Sequence, residues 1–302
     1  MFKSKNSMSR ALVRRETTAG YLFLLPSLFF FVTFVLYPMF LCIYTSFFDS
    51  NMGKNAVDVF VGLGNYKELF QDKLFLGALK NTVIIVVVAV PTVCAFSLWV
   101  ATAIYEMKPA LTSAFRCIFY LPVVTGSVAV TVVWKWMYNS RYGVFNYLFK
   151  SLGIIDQNIN WLGDARFALW CIILILFTTS VGQPIVLYVS ALGNVDHSLV
   201  EAAQVDGANR RQVFWKIKWA QIMPTTLYIL IITTINSFQC FALIQLLTSG
   251  GPTHSTDTIM YYIYYTAFKL YRYGYGNAMG VVLMIIIAVL SAVQFKLGQQ
   301  SD

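Results

Sequence analysis

Charge is scarce in this 302-residue sequence. Asp, Glu, Lys and Arg make up 12% of it and hydrophobic residues 58%, whereas a soluble domain carries about 25% charged residues; a soluble fold is excluded. The net charge of +9 is not a nucleic-acid footprint, because the basic residues fall between long apolar stretches instead of interleaving with aromatics on a polar face. Histidine is nearly missing. His197 and His254 lie in different segments, too few and too far apart for a histidine metal site or a His-dependent triad. Cysteine is absent from the polar segments: Cys42, Cys94, Cys117, Cys171 and Cys240 all sit in apolar sequence, where they read as small buried hydrophobes and not as a disulfide framework. A phosphate-cradling G-x-x-x-x-G-K-[ST] is also lacking, since the one Gly-Lys pair, Gly53-Lys54, is followed by Asn55.

What is present is apolar length. Six stretches, 20–48, 81–105, 114–138, 168–192, 224–247 and 277–296, reach the roughly 20 residues that a helix needs to cross a bilayer. The expected fold is therefore all-α and polytopic, with six transmembrane helices. The basic start (Lys3, Lys5, Arg10, Arg14, Arg15) followed by apolar sequence imitates a signal peptide. Its apolar part is too long for a cleavable core and no A-x-A site follows, so it reads as a retained anchor. Six spans place both termini on one side, and the five basic residues in segment 1–19 make that side cytoplasmic by the positive-inside rule. The four lysines of the 49–80 loop narrow the margin. Residues 1–19 are thus expected as a cytoplasmic segment and 20–302 as the transmembrane domain, without an internal repeat.

None of the six stretches contains Asp, Glu or His; their ionisable residues are Arg116, Lys135 and the terminal Lys296. Arg116 and Lys135 lie near the ends of one span, where they can snorkel to an interface. A proton-coupled carrier has no obvious carrier group here, although a sodium site of carbonyls and hydroxyls keeps an ion-coupled secondary carrier as the alternative. A membrane enzyme or sensor would need a cluster of catalytic or ligand groups that the sequence does not show. If ATP supplies the energy, another chain binds it.

The most informative segment is the loop 194–223 before the fifth span. Ser198 with Glu201 reads as a capping box, Gly207 as a left-handed helix stop, and Asn209 with Gln212 as a second cap leading through Phe214 and Ile217 to Pro224. The expected design is helix, glycine corner, helix. Ala202 and Ala203 allow close approach of another surface, and Glu201 offers a carboxylate; an interfacial helix lying on lipid remains the alternative.

Glu201-Ala-Ala, Asp206-Gly-Ala, Phe214, Ile217 and Pro224 at this spacing resemble the cytoplasmic EAA loop of permease subunits of binding-protein-dependent ATP-binding-cassette importers. Gly20-Tyr-Leu-Phe-Leu-Leu-Pro26 with Leu36-Tyr-Pro38, Gly62-Leu-Gly-Asn-Tyr66, Tyr120-Leu-Pro122 and Ala242-Leu-Ile-Gln-Leu-Leu-Thr-Ser-Gly-Gly-Pro252 extend the likeness to the carbohydrate branch, of the maltose, lactose and glycerol-phosphate type. Ala220 stands where that family usually has a proline, so a straighter helix is expected after the corner. The resemblance implies a permease in a bacterial or archaeal plasma membrane and no catalysis by this chain. It also implies a second related permease, two ATPase subunits carrying ATP and Mg, an external solute-binding protein and a carbohydrate cargo. Glu201, Ala202, Ala203, Asp206 and Gly207 would then form the element that docks on the ATPase.

Sugars are held by hydrogen-bonding side chains beside an apolar wall. The fourth span offers Thr178-Thr-Ser-Val-Gly-Gln-Pro184 and the fifth Thr233, Thr234, Asn236, Ser237 and Gln239. The family likeness places Thr178, Val181, Gly182, Ile185, Thr233 and Ser237 on the substrate pathway; the other reading is hydrogen bonding between helices. With no cation among these six, the sequence points away from a strongly anionic solute. The tyrosines 261, 262, 264, 265, 271, 273 and 275 read as an interfacial belt.

Overall fold

The computed structural model describes residues 3–50 and 58–299, so the Gly53-Lys54 pair lies outside the described residues. Helices α1 (Lys3–Phe31) and α2 (Tyr37–Thr45) make one rod joined by a π-helical turn at Val32–Leu36. Pro38 follows that turn; its ring would strike a regular carbonyl four residues back, and it has no N–H to donate, so the widened turn accommodates it. The most apolar stretch of Glu16–Thr45 is not buried by the rest of the chain, as expected of a helix that faces lipid or a partner's helices.

After a two-residue antiparallel ribbon, β1 (Phe48–Asp49) against β2 (Val59–Phe60), α3 (Gly64–Gln71) leads into α4 (Lys73–Ile104). The Asp72 carboxylate accepts from the Leu74 N–H at 2.8 Å. That cap starts α4 eight residues before the expected 81, since capping chemistry and not the apolar boundary sets a helix start. Phe75, Ala78, Thr82, Ile85, Ala89, Val93, Ser97, Val100 and Ile104 are buried along it, a stripe at helical spacing.

The expected third span is a bent pair: α5 (Pro109–Val124) and α6 (Ser127–Met137) meet at 95°. Thr125 and Gly126 take extended ψ values of 126° and 141°, and Pro122 withdraws a helical N–H just before them. A short helix, α7 (Val144–Ser151), precedes α8 (Ala168–Ser180) and α9 (Gly182–Gly193), which are bent by 40° at Val181. Then come α10 (His197–Val205), α11 (Arg210–Val213), a π-helical turn at Phe214–Lys218, α12 (Trp219–Phe238) and α13 (Ala242–Leu247). The rod passes Ala220 and Pro224 without a break, so the second helix of the corner and the fifth span are continuous. Finally α14 (Ile259–Tyr264) and a π-helical turn at Tyr265–Lys269 lead to α15 (Tyr273–Gln299).

Among the described residues four segments are long and apolar enough to cross a membrane: Glu16–Thr45, Lys73–Ile104, Arg210–Leu247 and Tyr273–Gly298. The number becomes six if each bent pair is one span. The central helix α4 packs along α9 and α12. Val93, Val100, Ala101 and Ile104 of α4 meet Val181, Ile185 and Tyr188, with Ile222 and Ile229 of α12, in one core. Small residues on α4 let the backbones approach, and the few polar groups bridge helices: Gln294 Nε2 donates to Thr234 Oγ1 at 3.0 Å and Asn277 Nδ2 to Thr45 Oγ1 at 2.7 Å.

The end of the bundle opposite α10 is bolted together by polar contacts. Tyr262 and Tyr275 donate to Asp72 Oδ2 at 2.7 and 2.9 Å, and Arg272 grips Glu68 through two bonds of 2.8 Å. Burial pushes the Asp72 carboxyl up, but the bonds from the two phenols and from the Leu74 and Phe75 amides outweigh it and leave it below the usual range. Asn81 Nδ2 donates to the carbonyls of Ser255 and Asp257, and Thr82 Oγ1 accepts from the Ile259 N–H at 3.0 Å. These bonds pin the 250–258 loop to α4. Tyr261, Tyr262 and Tyr275 are therefore buried structural groups, which corrects the interfacial-belt reading for those three; Tyr271 is exposed. Cys171 and Cys240 are buried as expected, Cys42 and Cys94 partly so, while Cys117 is exposed on the α5 surface.

Candidate functional site

The corner after α9 is built as its punctuation requires, with one change. Asp196 caps α10, its carboxylate accepting from the Ser198 N–H at 2.9 Å, so Ser198 and Glu201 do not form the expected capping box. An ionised acceptor at the helix start is favoured over a hydroxyl two residues further in by the positive end of the helix dipole. The Ser198 contact in turn holds the Asp196 carboxyl below the usual range. Gly207 has φ +83°, its N–H reaches the Gln204 carbonyl at 3.0 Å, and the Ala208 N–H reaches Ala203 at 2.9 Å. Asn209 and Gln212 exchange hydrogen bonds of 2.9 and 2.8 Å, the reciprocal box that the sequence implies.

Val200 and Val213 are buried in the main core and Ala203 packs against it, which fixes the corner to the bundle from below. Glu201, Ala202, Val205, Asp206 and Gly207 face outward, Val205 with 88% of its surface exposed. A small-residue surface with an apolar tip and flanking carboxylates suits a protein partner more than water. Next to it Lys218 Nζ lies 3.1 Å from Glu106 Oε1 and also bonds the Tyr105 hydroxyl, tying the corner to the loop between α4 and α5. The Tyr105 hydroxyl and then Lys218 hold the Glu106 carboxyl below its ordinary range.

The second feature is a cleft at the α8–α9 bend, about 150 Å³ in volume. Thr179, Ser180, Gln183, Thr233 and Asn236 supply its polar groups, and Val123, Pro184, Leu187, Tyr228, Ile229 and Ile232 its apolar wall. Of the six expected pathway residues only Thr233 lines it. Val181 and Ile185 lie in the core, the Val181 carbonyl accepting from Ser97 Oγ at 3.3 Å. Thr178 Oγ1 turns back onto the Ile175 carbonyl at 2.9 Å, and Ser237 is buried. Gly182 is the contact point with α5: a Cβ there would overlap the Phe119 carbonyl oxygen and lie 2.9 Å from Val123 Cγ2. The polar groups of the cleft stand one or two positions from those six residues in sequence: the bend turns Thr179, Ser180 and Gln183 outward and Gly182 inward. Gln183, set between Gly182 and Pro184 in apolar sequence, carried the signal for this.

Residues 61–299 match the family described as the binding-protein-dependent transport system inner membrane component. The probable ABC transporter permease protein YesP of Bacillus subtilis (strain 168) is 33% identical over 288 residues, covering 94% of this chain and 91% of that one. The lactose transport system permease protein LacF of Rhizobium radiobacter is also 33% identical, covering 94% and 95%. Among solved structures, a chain of a bacterial alginate ABC transporter, in complex with an alginate pentasaccharide-bound periplasmic protein, superimposes with a TM-score of 0.79 at 24% identity over 93% of each chain. With nearly its whole length in register with transport permeases and no enzyme among these relatives, this chain belongs to the family of inner membrane components of binding-protein-dependent transport systems.

Proposed function

We propose that this chain is one of two related permease subunits of an ATP-driven importer. It takes a carbohydrate from an external binding protein and passes it inward by alternating access. The observation that carries this reading is the cleft at the α8–α9 bend: polar side chains beside Tyr228 and an aliphatic wall have the chemistry of a sugar site. At about 150 Å³ it is smaller than the ~300–1,000 Å³ of ordinary ligand sites, so a second permease supplies the facing wall. The likeness to a lactose permease supports the carbohydrate class.

In this reading the spans number six, with each bent pair counted once, and both termini and α10 face the cytoplasm of a bacterial or archaeal cell. Glu201, Ala202, Ala203, Asp206 and Gly207 dock on one of two ATPase subunits, where ATP and Mg are bound. Thr179, Ser180, Gln183, Thr233 and Asn236 touch the sugar, Gly182 sets the bend, and Thr178, Val181, Ile185 and Ser237 support it from behind. Reconstituted with its partners, the protein should take up sugar with ATP present after the membrane potential is collapsed. Uptake that stops on collapse would establish an ion-coupled carrier instead.

A further inference from the structure

Four of the nine residues from Arg210 to Lys218 are basic and none is acidic. This run lies between the outward surface of α10 and the apolar length of α12. Arg211, Trp215 and Lys218, spaced four and three apart, share one face of it. That face closes a groove of about 410 Å³, whose opposite wall is Thr102 in the last turn of α4 with Tyr105 and Glu106 just beyond. The larger part of the surface exposed in the groove is polar.

The charges here do not cancel. Arg210, Arg211 and Lys218 face a single carboxylate, Glu106, which already receives the Tyr105 hydroxyl and the Lys218 ammonium. Arg210 and Arg211 are exposed and make no ion pair among the described residues, so both guanidiniums are open to a ligand. A planar guanidinium fork matches the oxygens of a phosphate. Depth selects the kind of phosphate. The groove opens where α4 and α12 pass from apolar sequence to the corner, and Trp215, 60% exposed, has its ring 5.4 Å from that of Trp219. Exposed indoles collect at the headgroup level of a bilayer, and a basic recess beside a span on the cytoplasmic side suits an anionic lipid headgroup.

Resting on the importer reading above for its place in the cytoplasmic leaflet, we propose that this groove is a binding site for an anionic phospholipid. Arg210 and Arg211 grip the phosphate, Trp215 lies along the glycerol and the first acyl carbons, and Lys218, held by Glu106, forms the inner wall. Bound lipid thereby ties the start of α12 to the loop after α4, beside the surface that α10 offers to a partner.

The test uses the complete importer, with both permeases and the ATPases, in proteoliposomes of phosphatidylcholine into which brominated phosphatidylglycerol is titrated. The bromines quench nearby indoles, and the difference between wild type and Trp215→Phe isolates the signal of Trp215. Arg210→Gln and Arg211→Gln should each raise the fraction of brominated lipid needed for half-quenching about fivefold, and together about 30-fold, the losses expected for one and two cations at an anionic headgroup. Lys150→Gln, the same change of charge on an exposed residue of α7 at the opposite end of the bundle, should leave the titration unmoved. Brominated phosphatidylcholine quenching Trp215 as well as the anionic lipid does, or an unchanged titration in the arginine variants, would overturn the proposal and leave only ordinary lipid contact. Displacement of the lipid when inorganic phosphate replaces chloride at constant ionic strength overturns it in favour of a soluble phosphate. Arginine variants that shed the ATPase with quenching intact overturn it in favour of a protein contact. None of these readouts requires turnover, so each failure leaves the importer reading standing; that reading falls separately if ATP drives no uptake in the same vesicles.

Discussion

Replacing Gly207 by alanine isolates the backbone strain of the α10–α11 corner. The residue has φ +83°, and nothing lies within 4 Å of where its Cβ would stand, so no packing clash contributes. An L-residue in the left-handed region costs about 1–2 kcal/mol, less for asparagine, whose side chain bonds locally. That cost falls on the few bonds that close the corner, from the amides of Asp206, Gly207 and Ala208 to the carbonyls of Ala202, Gln204 and Ala203. It does not fall on the bundle, which holds the corner through Val200 and Val213. The opened corner should therefore be populated about 5–30-fold more often in Gly207→Ala, with Gly207→Asn in between. Hydrogen exchange at the Asp206 and Ala208 amides in nanodiscs reads this directly. ATP-driven uptake should fall in the same order, while membrane insertion and the thermal midpoint stay near wild type. Exchange at the wild-type rate in the alanine variant, or asparagine as damaging as alanine, would refute the argument that the turn alone demands glycine.

Gly182→Ala is expected to behave in the opposite way, as a packing defect with normal backbone geometry. Its methyl overlaps the Phe119 carbonyl and approaches Val123, so α5 and α9 must separate at a cost of about 1–3 kcal/mol; a thermal midpoint equal to wild type in detergent would count against the close crossing. Asp72 predicts an acid limb. Its folded pKa is depressed, so its contribution to stability is fully present above the ordinary value of about 3.9 and is lost as pH falls through the lower folded value. The midpoint should drop below about pH 4, and Asp72→Asn should be less stable at neutral pH and show a shallower acid limb. An unchanged limb in the asparagine variant would exclude Asp72 as its source.

Much of the fold was legible because apolar length and cap chemistry are local properties. The stretch 277–296 falls inside α15 and 81–105 inside α4 but for its last residue, Gly207 is left-handed, and Asn209 with Gln212 forms its box. What was not legible depends on tertiary contacts. A run of apolar residues from 114 to 138 does not reveal that Thr125 and Gly126 turn the chain by 95°, because proline in a span is compatible with either a kink or a straight helix. The face that each residue presents at Val181 depends on how α5 meets Gly182, which is why Thr179, Ser180 and Gln183 reach the cleft while Val181 and Ile185 enter the core. Likewise the Asp72 cluster joins residues about 200 positions apart in sequence, and no local pattern announces such a pairing.

From Arg210 to Phe238 the chain runs without a break through α11, the π-helical turn and α12, about 43 Å at 1.5 Å per residue, from the exposed corner past the polar cleft; a non-helical step at 239–241 then leads to α13 and the pinned loop. Near that loop Thr258 Oγ1 holds the Cys240 carbonyl at 2.7 Å, and the loop is itself fastened to α4 through Asn81 and Thr82. The corner end is held by Val200, Val213 and Ile222 in the main core, by the Lys218–Glu106 pair and by the Asp196 amide, which donates to Gln221 Oε1 at 3.1 Å. A beam fastened at both extremities and packed along its length is displaced together with its neighbours when one tip is pushed. Thr233 and Asn236, riding on it, then move with that packed unit instead of absorbing the push by bending.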